Sequence, residues 1–192
     1  QYPEYLVCFV GSHSSALPLE ILRDHESIDL VLYNEGVYAL NNLLASDLGP
    51  EDLKKVKGVG HKLDGLPTLN PPEQVVPQDR MDEDLPGYAW DLLPYDQKQL
   101  DLYRSHFWHT EYNHTKRTPF AAVYSSLGCR FKCDFCMINI VNRNDDGDGV
   151  VSAHSPNMRY WSPEFMLREF DKLAEMNVET IRISDEMFFL DR

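Results

Sequence analysis

The chain has 192 residues, and its apolar fraction of 43% and charged fraction of 26% are those of an ordinary globular protein. A net charge of −13 argues against a nucleic-acid partner, because an acidic surface repels phosphate backbones. No apolar run reaches the roughly 18 residues of a membrane-spanning helix, and the first residues lack the basic and apolar regions of a signal peptide.

The first 48 residues alternate between strand and helix patterns. Short apolar runs predict strands at Tyr5–Val10 and Ile28–Tyr33, and apolar residues at helical spacing predict helices after Pro18 and from Val37. This alternation with short loops indicates a parallel sheet, for which two strands are too few. Because the chain also opens on a strand and without Met, we expect it to be an internal fragment of a longer protein.

Residues 49–117 are predicted to form an ordered linker. Seven prolines between Pro50 and Pro94 interrupt any helical period, while aromatic residues such as Trp90 argue against disorder. Within this region, the stretch "GVGHKLDGLPTL" predicts a small hairpin that turns at Asp64 and Gly65.

Residues 118–192 return to an α/β pattern. The sequence predicts a strand over Pro119–Ser126, then a loop that contains cysteines, and later a second strand over Thr180–Asp185. Between them, Ser162 is the expected N-cap of a helix whose first turn contains Pro163.

Three of the four cysteines lie close together, at Cys129, Cys133 and Cys136, whereas Cys8 is expected to be a small buried residue of the first strand. Such clustering is typical of metal ligands in a reducing compartment, so we expect a cytoplasmic protein. Three thiolates can hold three irons of a [4Fe–4S] cluster and leave the fourth iron open. A zinc site completed by a histidine such as His154 is the alternative, although the second short knuckle of such sites is missing.

The motif Cys129-x3-Cys133-x-Phe135-Cys136, directly after a strand, resembles the signature of the radical S-adenosylmethionine (SAM) superfamily. The resemblance implies that the three cysteines bind a [4Fe–4S] cluster whose open iron is chelated by SAM, and that Phe135 lies against the adenine. It implies reductive cleavage of SAM by an electron from a donor such as flavodoxin or ferredoxin. It also implies that residues 118–192 form the first βαβ of the family's partial (β/α)6 TIM-type barrel.

Acidic residues follow the second predicted strand of this barrel, at Asp185 and Glu186. In the radical SAM family the corresponding strand often ends in polar residues that receive the ammonium group of SAM. The resemblance therefore implies that Asp185 receives it, with Glu186 beside it. A helix N-cap or an ordinary loop acid is the alternative interpretation, and the Gly-Gly-Glu segment of many family members is missing here.

The first 48 residues carry a second resemblance, to the last two βα units of the Rossmann-like (flavodoxin-like) cobalamin-binding domain that is fused to some radical SAM enzymes. Gly11 and His13 match one loop of that domain, and Glu35 and Gly36 match the next with their order inverted. The stretch "LPGYAWDLLP" resembles the connection between the two domains. A doubly wound domain without a cofactor is the alternative interpretation of these loops.

Together the two resemblances imply three segments: the C-terminal part of a cobalamin-binding-like domain over residues 1–48, a linker over 49–117, and the N-terminal part of a radical SAM core over 118–192. They imply cobalamin-dependent methyl transfer to an unactivated carbon or phosphorus of an unknown substrate. Two other hypotheses remain at this point. One is a radical SAM enzyme without cobalamin, and the other is a zinc or iron–sulfur binding module without catalytic turnover.

Overall fold

A computed structural model describes most of the chain, and it covers residues 5–63, 65–93, 120–131, 133, 135–139, 158–185 and 187–188. The chain has a mixed α/β fold and divides into two compact units, the first formed by Gln1–Pro77 with Gly128–Met158 and the second by Gln78–Leu127 with Arg159–Arg192. No helix in the described ranges has the length and apolar character needed to cross a lipid bilayer.

The first unit contains a four-stranded sheet in the order β1-β2-β3-β4. Its strands and helices, in chain order, are β1 (Cys8–Phe9), α1 (Ser12–Ala16), α2 (Pro18–Asp24), β2 (Leu30–Leu32), α3 (Val37–Leu44), α4 (Pro50–Leu53), β3 (Val59–His61) and β4 (Thr68–Leu69). The pair β1–β2 is parallel, as the alternating pattern predicts, and α2 and α3 lie where helical spacing places them. The helix α1 is not predicted by the sequence pattern.

The hairpin predicted within the linker is confirmed, since β3 and β4 pair antiparallel around the turn at Gly65. It also joins the sheet, because β3 pairs antiparallel with β2 and places Leu30 opposite His61 and Leu32 opposite Val59. The sequence pattern does not predict this pairing. The hairpin thereby gives the short parallel pair two further strands, which a stable sheet needs.

Apolar side chains cover both faces of this sheet. On one face Leu30, Leu32 and Val59 form a buried cluster with residues of α3 and α4, and on the other Val31 contacts Ile21 and Leu22 of α2. Burial of these side chains away from water is the main stabilising contribution to the unit.

The expectation that Cys8 is buried is wrong, because the residue is exposed. Its strand is the edge of the sheet, and the neighbouring apolar residues from Tyr5 to Val10 are also exposed in the part of the chain that the structure describes. An alternating apolar run predicts a strand, but it does not reveal whether the strand is central or at an edge.

The second unit is built on a parallel βαβ arrangement. Its elements are α5 (Met81–Asp84), β5 (Phe120–Val123), β6 (Ser126–Leu127), β7 (Arg159–Tyr160), α6 (Pro163–Glu175) and β8 (Thr180–Ile183). Strand β5 pairs in parallel with β8, and β6 pairs antiparallel with β7. Ser162 is the N-cap of α6 as predicted, since its Oγ accepts a hydrogen bond from the Phe165 N–H at 3.1 Å.

A segment that the sequence assigns to the linker, residues 78–93, packs onto this βαβ arrangement, and we call it the strap. The Gln78 amide exchanges two hydrogen bonds of 2.8 Å with the backbone of Tyr160. The Asp82 carboxylate accepts the backbone N–H of Ser162 at 2.9 Å and its hydroxyl at 2.5 Å. The strap therefore supplies acceptors at the N-terminus of α6, where backbone N–H groups lack helical partners.

Farther along, the strap enters the core of the second unit. Trp90 is buried with Val123, Phe165 and Leu173, and its indole N–H donates to the Glu169 carboxylate at 3.1 Å. The indole N–H of Trp161 donates to the Leu85 carbonyl at 2.8 Å. The strap is thus part of the hydrophobic core and not an external connection.

Candidate functional site

The carboxyl ends of β5 and β8 meet at one edge of the second unit, which is where α/β folds usually place functional groups. Asp185, one residue past the last ladder bond from Ser184 N–H to the Val123 carbonyl, lies at this edge. Its carboxylate accepts the backbone N–H of Ser125, at 2.9 Å to Oδ2 and 3.1 Å to Oδ1. Oδ1 also accepts the hydroxyl of Ser125 at 2.9 Å and the hydroxyl of Ser126 in a very short contact.

A second side chain holds the adjacent residue at the end of β5. The backbone N–H of Tyr124 donates to the Tyr88 hydroxyl of the strap at 3.1 Å. Burial raises the pKa of the Tyr88 hydroxyl; the hydrogen bond from Tyr124 opposes this, and the nearby charges of Tyr124, Asp185 and Glu169 raise the pKa further. Tyr88 is therefore a neutral phenol at physiological pH. Sequence reasoning singled out neither this tyrosine nor the two serines, although the serine pair directly before the cysteine motif was a usable signal.

The cysteine loop begins after β6 with Gly128, whose φ of 91° lies in the left-handed region. Cys129 and Cys136 are half-buried, Cys133 is exposed, and none forms a disulfide. The Cys136 N–H donates to the Cys133 carbonyl at 3.1 Å, so the last two cysteines share one turn. Phe135 lies in this turn and is 90% exposed.

These residues fit an iron–sulfur cluster in donor chemistry. Three cysteine thiols within one short loop, outside any disulfide, can supply the ligands for three irons, and the aromatic ring of Phe135 is exposed. Among the described residues, no three or more His, Cys, Asp and Glu side chains are already gathered around a metal position. His154, the candidate fourth ligand of a zinc site, lies outside the described residues, as does Glu186.

The residues matched to a cobalamin-binding domain lie in the first unit. Gly11 directly precedes α1 and has a φ of 121°, and Gly36 directly precedes α3 with a φ of 76°. His13 is an exposed residue of α1, and the half-buried Glu35 accepts the Val76 N–H at 2.7 Å. Because β1 and β2 run parallel, the structure brings the loops after both strands to the same edge of the sheet.

Two buried serines of α1 connect these loops. The hydroxyls of Ser14 and Ser15 both lie 2.9 Å from the Gly11 carbonyl, while the Leu32 carbonyl is 3.1 Å from Ser14 and the Asn34 carbonyl is 3.2 Å from Ser15. Sequence reasoning did not single them out. They hold the loop after β1 against the end of β2.

Comparison with known proteins found similarity in sequence and in structure. No protein-family profile matches the chain. It is 29% identical over 183 residues to an uncharacterized methyltransferase of Pyrococcus horikoshii, a match that covers 95% of the chain and 33% of the relative. The chain thus spans about a third of the length of the curated relative that it matches.

Two similar solved structures are radical SAM enzymes. One is the cobalamin-dependent enzyme OxsB with aqua-cobalamin and SAM bound, with a TM-score of 0.56 and 20% identity over 94% of this chain and 21% of that one. The other is the methyltransferase TsrM from Kitasatospora setae with tryptophan and a SAM analogue bound, with a TM-score of 0.55 and 15% identity over 96% and 30% of the two chains. The mixed α/β fold of this chain is therefore similar to that of cobalamin-dependent radical SAM enzymes.

Proposed function

We propose that the chain is part of a radical SAM enzyme that transfers a methyl group with the help of cobalamin. The observation that carries the proposal is the motif Cys129-x3-Cys133-x-Phe135-Cys136, which begins three residues after Ser126 in the chain and thus shortly after the parallel strand β5. A [4Fe–4S] cluster held by these cysteines would supply the electron for reductive cleavage of SAM, which would start radical chemistry on the substrate.

In this proposal the thiolates of Cys129, Cys133 and Cys136 are the iron ligands. The exposed ring of Phe135 would lie against the adenine of SAM. The family resemblance implies that the Asp185 carboxylate, with Glu186 beside it, receives the ammonium group of SAM. The Asp185 carboxylate, however, already accepts hydrogen bonds from Ser125 and Ser126.

In this proposal the first unit binds the cobalamin. Loops that follow parallel strands present backbone groups at one edge of the sheet, and glycines at Gly11 and Gly36 allow a ligand to approach the backbone closely. His13 is exposed at the same edge and can contact the ligand. The methyl-transfer activity is supported by the similarity to TsrM and to the methyltransferase of P. horikoshii.

The decisive experiment is anaerobic reconstitution with iron and sulfide, followed by metal analysis. We expect about four irons and matching acid-labile sulfide per chain, and Cys133→Ala should lose them. Cys8→Ala is the matched control, because it removes an exposed thiol that lies outside the cysteine motif and should keep full iron content. Zinc without sulfide would favour a binding module, and full iron retention in Cys133→Ala would contradict the assignment of ligands.

A further inference from the structure

The Asp185 carboxylate has an unusual set of partners for a residue expected to bind a cosubstrate. Every hydrogen bond described for it comes from two consecutive residues, Ser125 and Ser126, which lie 60 and 59 positions away in the sequence. The acceptor Oδ1 takes both hydroxyls and shares the Ser125 N–H with Oδ2. A carboxylate oxygen has two lone pairs, so Oδ1 has no remaining capacity for a further donor.

These bonds form where the regular ladder stops. The pairing of β5 with β8 ends at Val123 opposite Ile183, and β6 begins at Ser126 opposite Tyr160. The two residues between these ladders turn the chain from one sheet to the other, and their amides need acceptors. Tyr88 accepts the first amide, from Tyr124, and Asp185 accepts the second, from Ser125.

We propose that Asp185 is a positioning residue that fixes the start of the cysteine loop. Only Leu127 and Gly128 separate Ser126 from Cys129, so the anchor holds the chain three residues before the first proposed iron ligand. Hydrogen bonds to a carboxylate are stronger than those between neutral groups, and Ser126 is 5% exposed, so little water competes for its hydroxyl. The role in the loop rests on the proposed function, whereas the anchor itself does not require a cluster.

The chain contains a close chemical match that serves as a control. Asp82 likewise accepts the backbone N–H and the hydroxyl of one serine, Ser162, but it does so at the start of α6 and not at the cysteine loop. Substitution of either aspartate removes the same type of interaction from the same unit. If only Asp185→Ala changes the cysteine loop, the cause is the position of the lost hydrogen bonds. A general loss of stability would affect the loop in both variants.

The first measurement is amide hydrogen exchange on the metal-free protein. Asp185→Ala should exchange about tenfold faster or more at residues 124–127, whereas Asp82→Ala should show this increase at residues 160–162 only. Asp185→Asn keeps an acceptor oxygen and should restore part of the protection. If Asp185→Ala does not fold, Ser126→Ala tests the same anchor with the carboxylate in place. Unchanged exchange at residues 124–127 in both variants would overturn the proposal.

The second measurement uses the reconstituted protein. The low-temperature electron paramagnetic resonance spectrum of the reduced cluster should be broadened in Asp185→Ala, with lower iron content, and should be like wild type in Asp82→Ala. A spectrum and iron content like wild type, combined with about tenfold weaker SAM binding in both Asp185→Ala and Asp185→Asn, would instead assign the residue to the ammonium group. Absence of any iron–sulfur cluster in the wild-type protein would reject the proposed function, and the exchange data would still decide whether the anchor exists.

Discussion

The indole N–H of Trp90 donates to Oε2 of Glu169 at 3.1 Å, and Lys172 approaches the other carboxylate oxygen at 2.5 Å. Glu169 is 2% exposed, so its carboxylate depends on these two partners for the stabilisation that water would otherwise provide. One of them belongs to the strap. The burial of an acid on α6 is thereby tied to a segment whose sequence looks like a linker.

Trp90→Phe should lower the free energy of unfolding by about 2–4 kcal/mol, because it removes both indole packing and a donor to a buried carboxylate. Trp161→Phe is the control, since that indole donates to the neutral carbonyl of Leu85 and its loss should cost about 1–2 kcal/mol. Urea unfolding of both variants would measure the two losses. An equal loss in both would show that the charge of Glu169 has no special dependence on Trp90.

Gly87→Ala should be more damaging than Gly65→Ala, although both glycines have positive φ, 90° and 78°. A methyl group at Gly87 would lie 2.9 Å from the Glu169 carboxyl carbon and 3.0 Å from the Phe165 ring, whereas one at Gly65 would meet no atom within 4 Å. We expect a loss of about 1 kcal/mol from backbone strain at Gly65 and about 1–3 kcal/mol more at Gly87. Thermal or urea unfolding would measure the difference, and equal losses would mean that the strap can move away from α6 at no cost.

Asn70→Ala tests a buried polar contact of the first unit. The Asn70 amide donates to the Leu53 carbonyl at 2.7 Å and to the Val56 carbonyl at 2.8 Å, at the C-terminal end of α4. Loss of both donors leaves two buried carbonyls unsatisfied, so unfolding free energy should fall by about 2 kcal/mol or more. The control Asn42→Ala removes an exposed bond to Glu73 and should change stability by less than about 0.5 kcal/mol. A small loss at Asn70 would indicate that water replaces the amide.

Cobalamin binding can be separated from stability by two variants. His13→Ala changes an exposed side chain, so it should lower retention of cobalamin, measured by absorbance, without changing the unfolding free energy by more than about 0.5 kcal/mol. Glu35→Ala should lower retention of cobalamin too, but in addition it should lower the free energy of unfolding by about 1–3 kcal/mol, because the Val76 N–H loses its acceptor. If the wild-type protein binds an iron–sulfur cluster but no cobalamin, the hypothesis of a cobalamin-free radical SAM enzyme is favoured.

Local sequence patterns predict the longer helices and the hairpin of this fold, but not short elements such as α1 and α4. Periodicity and capping residues place α2, α3 and α6, and the Asp-Gly turn places the hairpin. These features depend on residues that are close in sequence, and so their energetic causes are visible in a short window.

Contacts between distant residues are not predicted in the same way. The bond from Ser126 to Asp185 and the bond from Ser162 to Asp82 each join polar residues that are common in loops, and no local period marks them. The exposure of Cys8 follows from the order of the strands, which the sequence of β1 does not contain. The cysteine motif is different, because its ligands lie in one short segment and the spacing alone carries chemical information.

The strap also determines which part of the chain can fold as a unit. A protein shortened to begin at residue 118 would contain β5, α6 and β8, but it would lack the side chains of Asp82 and Trp90 that bind α6. The part of the buried cluster that Trp90 fills beside Phe165 would then be open to water, and Glu169 would lose the indole N–H that donates to it. Proteases should therefore cut such a chain readily near α6 and spare one that begins before Gln78. Insertions should be tolerated poorly between Gln78 and Trp90 and better at the exposed turn around Gly65.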